Sequence, residues 1–275
     1  MSGPVRPPAL RLPLRFRTRL RQQLVGFGAI ALVAAAGSGC HTITKPKTSS
    51  ELLLTERMAQ VLLRDNQPVD AERAFREVLK YDSKNAEALD GLGNALIMQG
   101  RYKEAMASLD KAVSLEPMNG SFRNNRGVAR MELGQYKEAY EDFDAAESSP
   151  NPDDRLSASI NRGRLRQREG NFVAAEHEFS MALARDPKSF AATLGRAVAR
   201  ESKGDLEGAA EDYLSCVKID SMNAEANLRL GVCLVSLKKA ELGRRYLQRA
   251  IDLDPSGDTG AKARILMQGS SSPPS

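Results

Sequence analysis

Small and large apolar residues return along this chain at a fixed long interval. Ala59, Gly93, Gly127, Gly163, Ala197 and Gly231 are separated by 34, 34, 36, 34 and 34 residues. Twelve positions after each comes a second small residue: Ala71, Ala105, Ala139, Ala175, Ala209 and Gly243. Four places further stands a large apolar side chain, Phe75, Leu109, Phe143, Phe179, Tyr213 or Leu247, and three beyond it Val78, Ala112, Ala146, Ala182, Cys216 or Ala250. Steps of three and four put residues on one helix face. A small residue lets two helix backbones approach closely, and the bulky one a turn later fills the space beside that contact. Each unit therefore reads as a pair of packed helices, and the fold class as all-α with no strands expected.

Turn chemistry agrees. Gly100, Gly134, Gly170 and Gly204 fall between the two helices of their units, where glycine accepts the left-handed backbone that ends a helix. Asn171 and Asp205 follow at positions suited to capping the next helix. Pro117, Pro187 and Pro255 come after second helices and stop them. The sixth unit has Lys238 where the turn glycine is expected. The third ends irregularly, with Ser148 to Asp154 (SSPNPDD) carrying two extra residues. That stretch is expected to loosen the stacking, either as a tolerated loop insertion or as a bend between two three-unit halves.

A 34-residue helix-turn-helix with these small and large places resembles the tetratricopeptide repeat. The resemblance covers 52–257 as six repeats, 52–85, 86–119, 120–155, 156–189, 190–223 and 224–257. It implies an α-solenoid, a right-handed superhelix of helical hairpins, with 258–268 as a short closing helix and 269–275 as a disordered tail. The aromatic expected early in the first helix is missing, with Thr55, Leu89, Arg123, Ser159, Thr193 and Asn227 in its place.

Charge is distributed unevenly. The net charge of +5 rests on six arginines, Arg6 to Arg21, within 1–39, a stretch with no acid; from Cys40 onward 34 basic residues face 35 acidic ones. The body lacks the basic excess that phosphate contacts require, which excludes nucleic acid as a partner. The leader reads as an export signal: arginines, an apolar run from Leu24 to Ala36, then Gly37, Ser38 and Gly39 before Cys40. Spanning a bilayer takes about 20 apolar residues, and this run is shorter. The glycine-cysteine junction resembles the lipobox of bacterial lipoproteins. That resemblance implies removal of residues 1–39, acylation of Cys40 by diacylglycerol and palmitate-like chains, and membrane anchoring. Gly37 stands where leucine is usual. His41, where the inner-membrane retention signal would place aspartate, implies the outer membrane, facing the periplasm. The other reading is a secreted protein with Cys40 a bystander. Residues 40–51 are polar and read as a spacer. Cys216 and Cys233 read either as small core residues or as a pair that export would allow to oxidise.

Catalytic chemistry is not visible. The only histidines are His41, in the spacer, and His177, between Glu176 and Glu178 on a face read as solvated, as are the acids generally. No metal-ligand spacing and no glycine-rich phosphate loop occurs, so neither metal, cofactor, small-molecule substrate nor enzyme activity is expected. Binding is what stacked hairpins offer, because first helices from successive repeats line one groove. In peptide-binding tetratricopeptide proteins, the resemblance implies, polar residues at the fifth, sixth and ninth places hold a ligand backbone or carboxylate. Here these are Asn94, Asn124, Asn125, Asn161 and Arg164, with Arg168 a turn beyond. Asparagine donates and accepts at once, and arginine can fork onto a carboxylate. The asparagines can equally be read as merely solvating the groove. Leu194, Val198, Leu228 and Val232 make the corresponding wall of repeats five and six apolar, either for a partner's helix or for the closing helix.

Exported lipoproteins built from such repeats resemble the pilotins of type IV pili and the lipoproteins of tight-adherence (Flp) pilus systems. The implied function is a membrane-anchored protein–protein interaction scaffold that holds an extended peptide or helix of an envelope subunit during pilus or secretin assembly. An adaptor that recruits cell-wall hydrolases or proteases is the alternative.

Overall fold

The computed structural model describes residues 48–269, and these form thirteen helices and no strand. Six hairpins follow one another: α1 (Ser49–Arg64) with α2 (Pro68–Tyr81), α3 (Ala86–Met98) with α4 (Tyr102–Leu115), α5 (Gly120–Glu132) with α6 (Tyr136–Glu147), α7 (Pro152–Arg168) with α8 (Phe172–Arg185), α9 (Phe190–Lys203) with α10 (Leu206–Ile219), and α11 (Ala224–Ser236) with α12 (Ala240–Leu253). The last helix, α13 (Asp258–Gly269), packs on α12 and α11. First helices touch in succession, α1 to α3, α3 to α5, α5 to α7 and α7 to α9, so the hairpins stack as a helical solenoid with a continuous first-helix wall through the first five repeats.

Local signals set these boundaries. Within each hairpin one residue takes left-handed φ: Asn66 (56°), Gly100 (72°), Gly134 (76°), Gly170 (74°), Gly204 (84°) and Lys238 (61°). At the second turn the Arg101 N–H donates to the Leu96 carbonyl at 2.9 Å and the Gly100 N–H to Ile97 at 2.9 Å, closing orphan carbonyls of α3. Lys238 makes the same turn as the glycines despite its Cβ, with the Lys239 N–H on the Leu234 carbonyl at 2.9 Å. The first helices of repeats two to six are capped by asparagine or serine, with Asn85, Asn119, Asn151, Ser189 and Asn223 accepting from first-turn N–H groups.

The predicted small-to-large contacts are present. A Cβ added to Gly93 would lie 2.5 Å from Leu109, one on Gly127 2.5 Å from Phe143, and one on Gly163 2.8 Å from Phe179. Phe75, Phe143, Phe179 and Tyr213 are fully buried, each burial stabilising by about 1.5–3 kcal/mol. These rings also join one hairpin to the next: Gly195 of the fifth repeat sits as close to Phe179 as Gly163 does, and Gly91 covers Phe75.

Two expectations are corrected. The spacer does not run to residue 51, because Thr48 and Glu51 form a reciprocal capping box that starts α1 at Ser49. Nor does the stretch 148–154 loosen the stack. Pro152 takes the first turn of α7, whose missing N–H costs nothing there. The buried Ser149 hydroxyl donates to the buried Asp154 carboxylate at 2.7 Å, so the extra residues are absorbed by a packed junction and a 17-residue helix. The leader, Cys40, His41 and residues 270–275 lie outside the described residues.

Candidate peptide-binding groove

The polar residues singled out from the sequence come together on the first-helix wall, joined by hydrogen bonds from repeat to repeat. Asn125 on α5 donates its Nδ2 to both oxygens of Asp90 on α3, at 2.9 Å each, and Asn94 donates to Asp90 Oδ2 at 3.3 Å. On α7, Asn161 donates to Asn124 Oδ1 at 2.9 Å, and Arg168 reaches back to Glu132 of α5 at 2.5 Å. Asn124 and Asn161 are nearly buried. Four of the six predicted residues, Asn124, Asn125, Asn161 and Arg168, therefore join adjacent repeats, Asn94 is bonded within its own, and these five keep only part of their capacity for a ligand.

Arg164 differs. Its one side-chain hydrogen bond goes to Asn161 Oδ1 at 3.3 Å, and no carboxylate of the described residues pairs with it. The surrounding walls desolvate it and lower its pKa from the ordinary arginine value. It lines two adjoining hollows. One, of about 520 Å³, is polar and includes Asn124, Asn125, Asp153, Ser157 and Asn161. The other, of about 550 Å³, is more apolar and includes Val128, Met131, Gln167, Phe172 and Val198. The arrangement offers an unneutralised guanidinium between polar and apolar surface, which suits a carboxylate on an extended chain.

Asp90 was not foreseen as part of this wall, although it stands in the same fifth place of its repeat as Asn124. Burial, opposed by the Asn125 bond and aided by Glu87, pushes its carboxyl up to about 7. An unfolded aspartate releases its proton near 4. Between these values the folded chain binds more protons than the unfolded one, so stability falls as pH rises through that window. We predict a melting temperature that declines from about pH 5 to about pH 8 and a flatter profile in Asp90→Asn; equal slopes in both proteins would contradict the assignment.

In repeats five and six the apolar wall is shared between the two alternatives. The closing helix buries Leu228 through Ala263, while a hollow of about 340 Å³ beside Val232, Ile265 and Leu266 stays open. Cys216 and Cys233 are buried free thiols, pushed up to about 12 and about 11 by burial. His177 is exposed, but its neighbour Glu178 is not, and Asp142 and Asp212 are likewise buried. The solvated reading of these acids is wrong because first-helix arginines hold them. Asp142 accepts from Arg126 at 2.9 and 2.7 Å and from Arg130 at 2.7 Å; Asp212 accepts from Arg196 at 2.9 and 2.7 Å and from Arg200 at 3.0 Å. No group of three or more His, Cys, Asp or Glu residues among the described residues could hold a metal ion, and none of their helices is long and apolar enough to cross a membrane.

Stacked hairpins with an open polar groove define a protein-interaction scaffold, a fold that is typically non-catalytic. The chain belongs to the tetratricopeptide-repeat family, whose models match residues 57–117, 160–221 and 224–256. It is 30% identical over 202 residues, 70% of its length, to cellulose synthase operon protein C of Xanthomonas axonopodis pv. citri, and 26% identical over 146 residues, 49% of its length, to cellulose synthase 1 operon protein C of Komagataeibacter xylinus. The chain spans only 13% and 11% of those relatives. In fold it is similar to PilF of Pseudomonas aeruginosa (TM-score 0.64, 18% identity, covering 78% of this chain and 97% of that one). It is also similar to PilW, a widely conserved type IV pilus biogenesis factor (TM-score 0.67, 20% identity, 80% and 100%).

Proposed function

We propose that this chain is an exported, lipid-anchored scaffold at the outer membrane that captures an extended, carboxylate-bearing segment of an envelope-machine subunit, of the pilus or secretin kind, during assembly. The observation that carries the reading is Arg164: a guanidinium without an acid, set where the polar and apolar hollows meet. A carboxylate of the segment forks onto Arg164, its apolar side chains enter the hollow at Val128 and Val198, and its basic groups lie toward Asp153. Likeness of fold to PilF and PilW supports the choice of machine by analogy. The 30% identity to a cellulose synthase operon protein favours a second setting for the same activity, a polysaccharide-synthesising assembly.

Cys40 supplies the tether in this reading. Stable anchoring takes two or more acyl chains, since one binds only marginally. Cys40→Ser is expected to leave unprocessed precursor and abolish incorporation of labelled fatty acid; normal processing and labelling would remove the anchor. Charge reversal at Arg164 tests the groove.

A further inference from the structure

Asn125 lines the polar hollow beside Arg164, and Asp90 does not. Asp90 stands behind it on α3, 8% exposed, where it accepts both 2.9 Å bonds from Asn125 Nδ2 and the 3.3 Å bond from Asn94. An ionised carboxylate can only accept, whereas an amide has one donating and one accepting end. The Asn125 amide therefore has a single way to face, with Nδ2 turned back to Asp90 and Oδ1 turned away from it. No N–H or O–H of the described residues donates to that oxygen, which stays open to solvent. Its neighbours differ. Of the other asparagines lining the hollow, Asn124 Oδ1 accepts from Asn161, Asn161 Oδ1 from Arg164 and Asn151 Oδ1 from the Asp153 N–H. Asn125 thus carries the one asparagine carbonyl of this hollow that no group among the described residues has taken.

We propose that Asp90 is a positioning residue that turns the Asn125 carbonyl into the groove, where it accepts a main-chain N–H of the captured segment beside the carboxylate held by Arg164. The ligand contact rests on the proposed function; the orientation of the amide does not. An extended chain turns a main-chain N–H to the same side at every second residue, whatever its side chains, so a fixed acceptor reads the extended form of the segment while Arg164 reads its charge. Protonation of Asp90 lifts the constraint, because the acid then donates as well and the amide is free to turn its oxygen back. Burial carries the Asp90 carboxyl up to about 7, which brings that step within reach of ordinary pH. The charges on the surrounding helices are engaged elsewhere: Glu56 of α1 by Asn85, Glu72 of α2 by Gln99 and Arg101, and Arg126 of α5 by Asp110 of α4 and by Asp142. Glu87, on α3 itself, is the charge whose field reaches Asp90.

The test is nuclear magnetic resonance of the full-length chain with labelled asparagine, aspartate and arginine side chains. Between about pH 8 and about pH 5 the Asn125 side-chain amide should shift in one step. Its midpoint should match that of the Asp90 carboxyl carbon, near 7, and the step should be lost in Asp90→Asn, which keeps the shape of the side chain. At the higher pH, a decapeptide of alternating glutamate and valine should move the Arg164 guanidinium and the Asn125 amide together. The same peptide with methylated main-chain nitrogens should move Arg164 alone. An Asn125 amide that does not follow Asp90, a step that survives in Asp90→Asn, or an Asn125 amide that responds equally to both peptides overturns the proposal. Silence at Arg164 with both peptides overturns the proposed function and the N–H contact with it, while the titration still decides whether Asp90 sets the amide.

Discussion

Arg164→Glu is expected to reduce capture of the partner segment by about a hundredfold or more while leaving the helix content and melting temperature of the chain nearly unchanged. A hydrogen bond to a charged group contributes about 1.5–3 kcal/mol, and a like charge placed against the segment's carboxylate adds a repulsion of several kcal/mol. Together these exceed the roughly 2.7 kcal/mol that a hundredfold represents. The fold is spared because Arg164 pairs with no acid of the described residues and gives up only its bond to Asn161. Arg164→Lys keeps the charge but not the planar fork and is expected to lose about tenfold. Affinity measured by pull-down or surface binding, alongside circular dichroism, checks all of this. Removing Asn124 or Asn161 is a poorer probe, since their bond staples the third repeat to the fourth.

The largest effect on stability is expected at Asp142. It is 1% exposed and accepts three bonds from Arg126 and Arg130, with Arg123 at 3.8 Å. Asp142→Ala leaves those guanidinium groups, themselves mostly buried, without an acid, and breaking such a pair costs about 3–5 kcal/mol, a large share of a stability that is typically about 5–15 kcal/mol. The repeats themselves suggest the rescue. Where Arg126 and Arg130 stand, the second repeat has Leu92 and Leu96 and the sixth Leu230 and Leu234; where Asp142 stands, the second has Ser108. Arg126→Leu/Arg130→Leu/Asp142→Ser should therefore recover most of the loss, because a well-packed apolar set of similar volume replaces a buried ionic one at little cost. Denaturant melts of the three proteins decide this: a harmless Asp142→Ala would show that the cluster is solvated in practice.

How much was legible follows from where information sits in a repeat. The period, the small-to-large contacts such as Gly127 with Phe143, and the left-handed turns at Gly100 to Gly204 are each fixed by a few residues close in sequence. They read directly. The arginine–acid clusters were missed because a lone Asp142 or Glu178 on a helix looks solvated. Only superposing the units at their 34- to 36-residue period shows that Arg126/Arg130, Arg162/Arg166 and Arg196/Arg200 each stand 16 and 12 residues before an acid. Lys238 makes the turn expected of glycine, at a strain of about 1–2 kcal/mol, because the flanking hydrogen bonds are the same. The candidate wall was named from the resemblance to peptide-binding tetratricopeptide repeats, with the register locating its places in this chain. Which of its members were free was not legible, since Asn125 and Asn161 are occupied by Asp90 and Asn124 across repeat boundaries, 35 and 37 residues away.

The central claim is that the wall between repeats three and five holds a partner's carboxylate-bearing segment, and photo-crosslinking in intact cells tests it most directly. A photoreactive residue at Ser157, exposed within the polar hollow, should label one envelope subunit at a segment containing an acidic side chain or a chain terminus, and Arg164→Glu should abolish the labelling. Labelling from Val173, 68% exposed on a second helix, with none from Ser157, or labelling at Ser157 that survives Arg164→Glu, would contradict it.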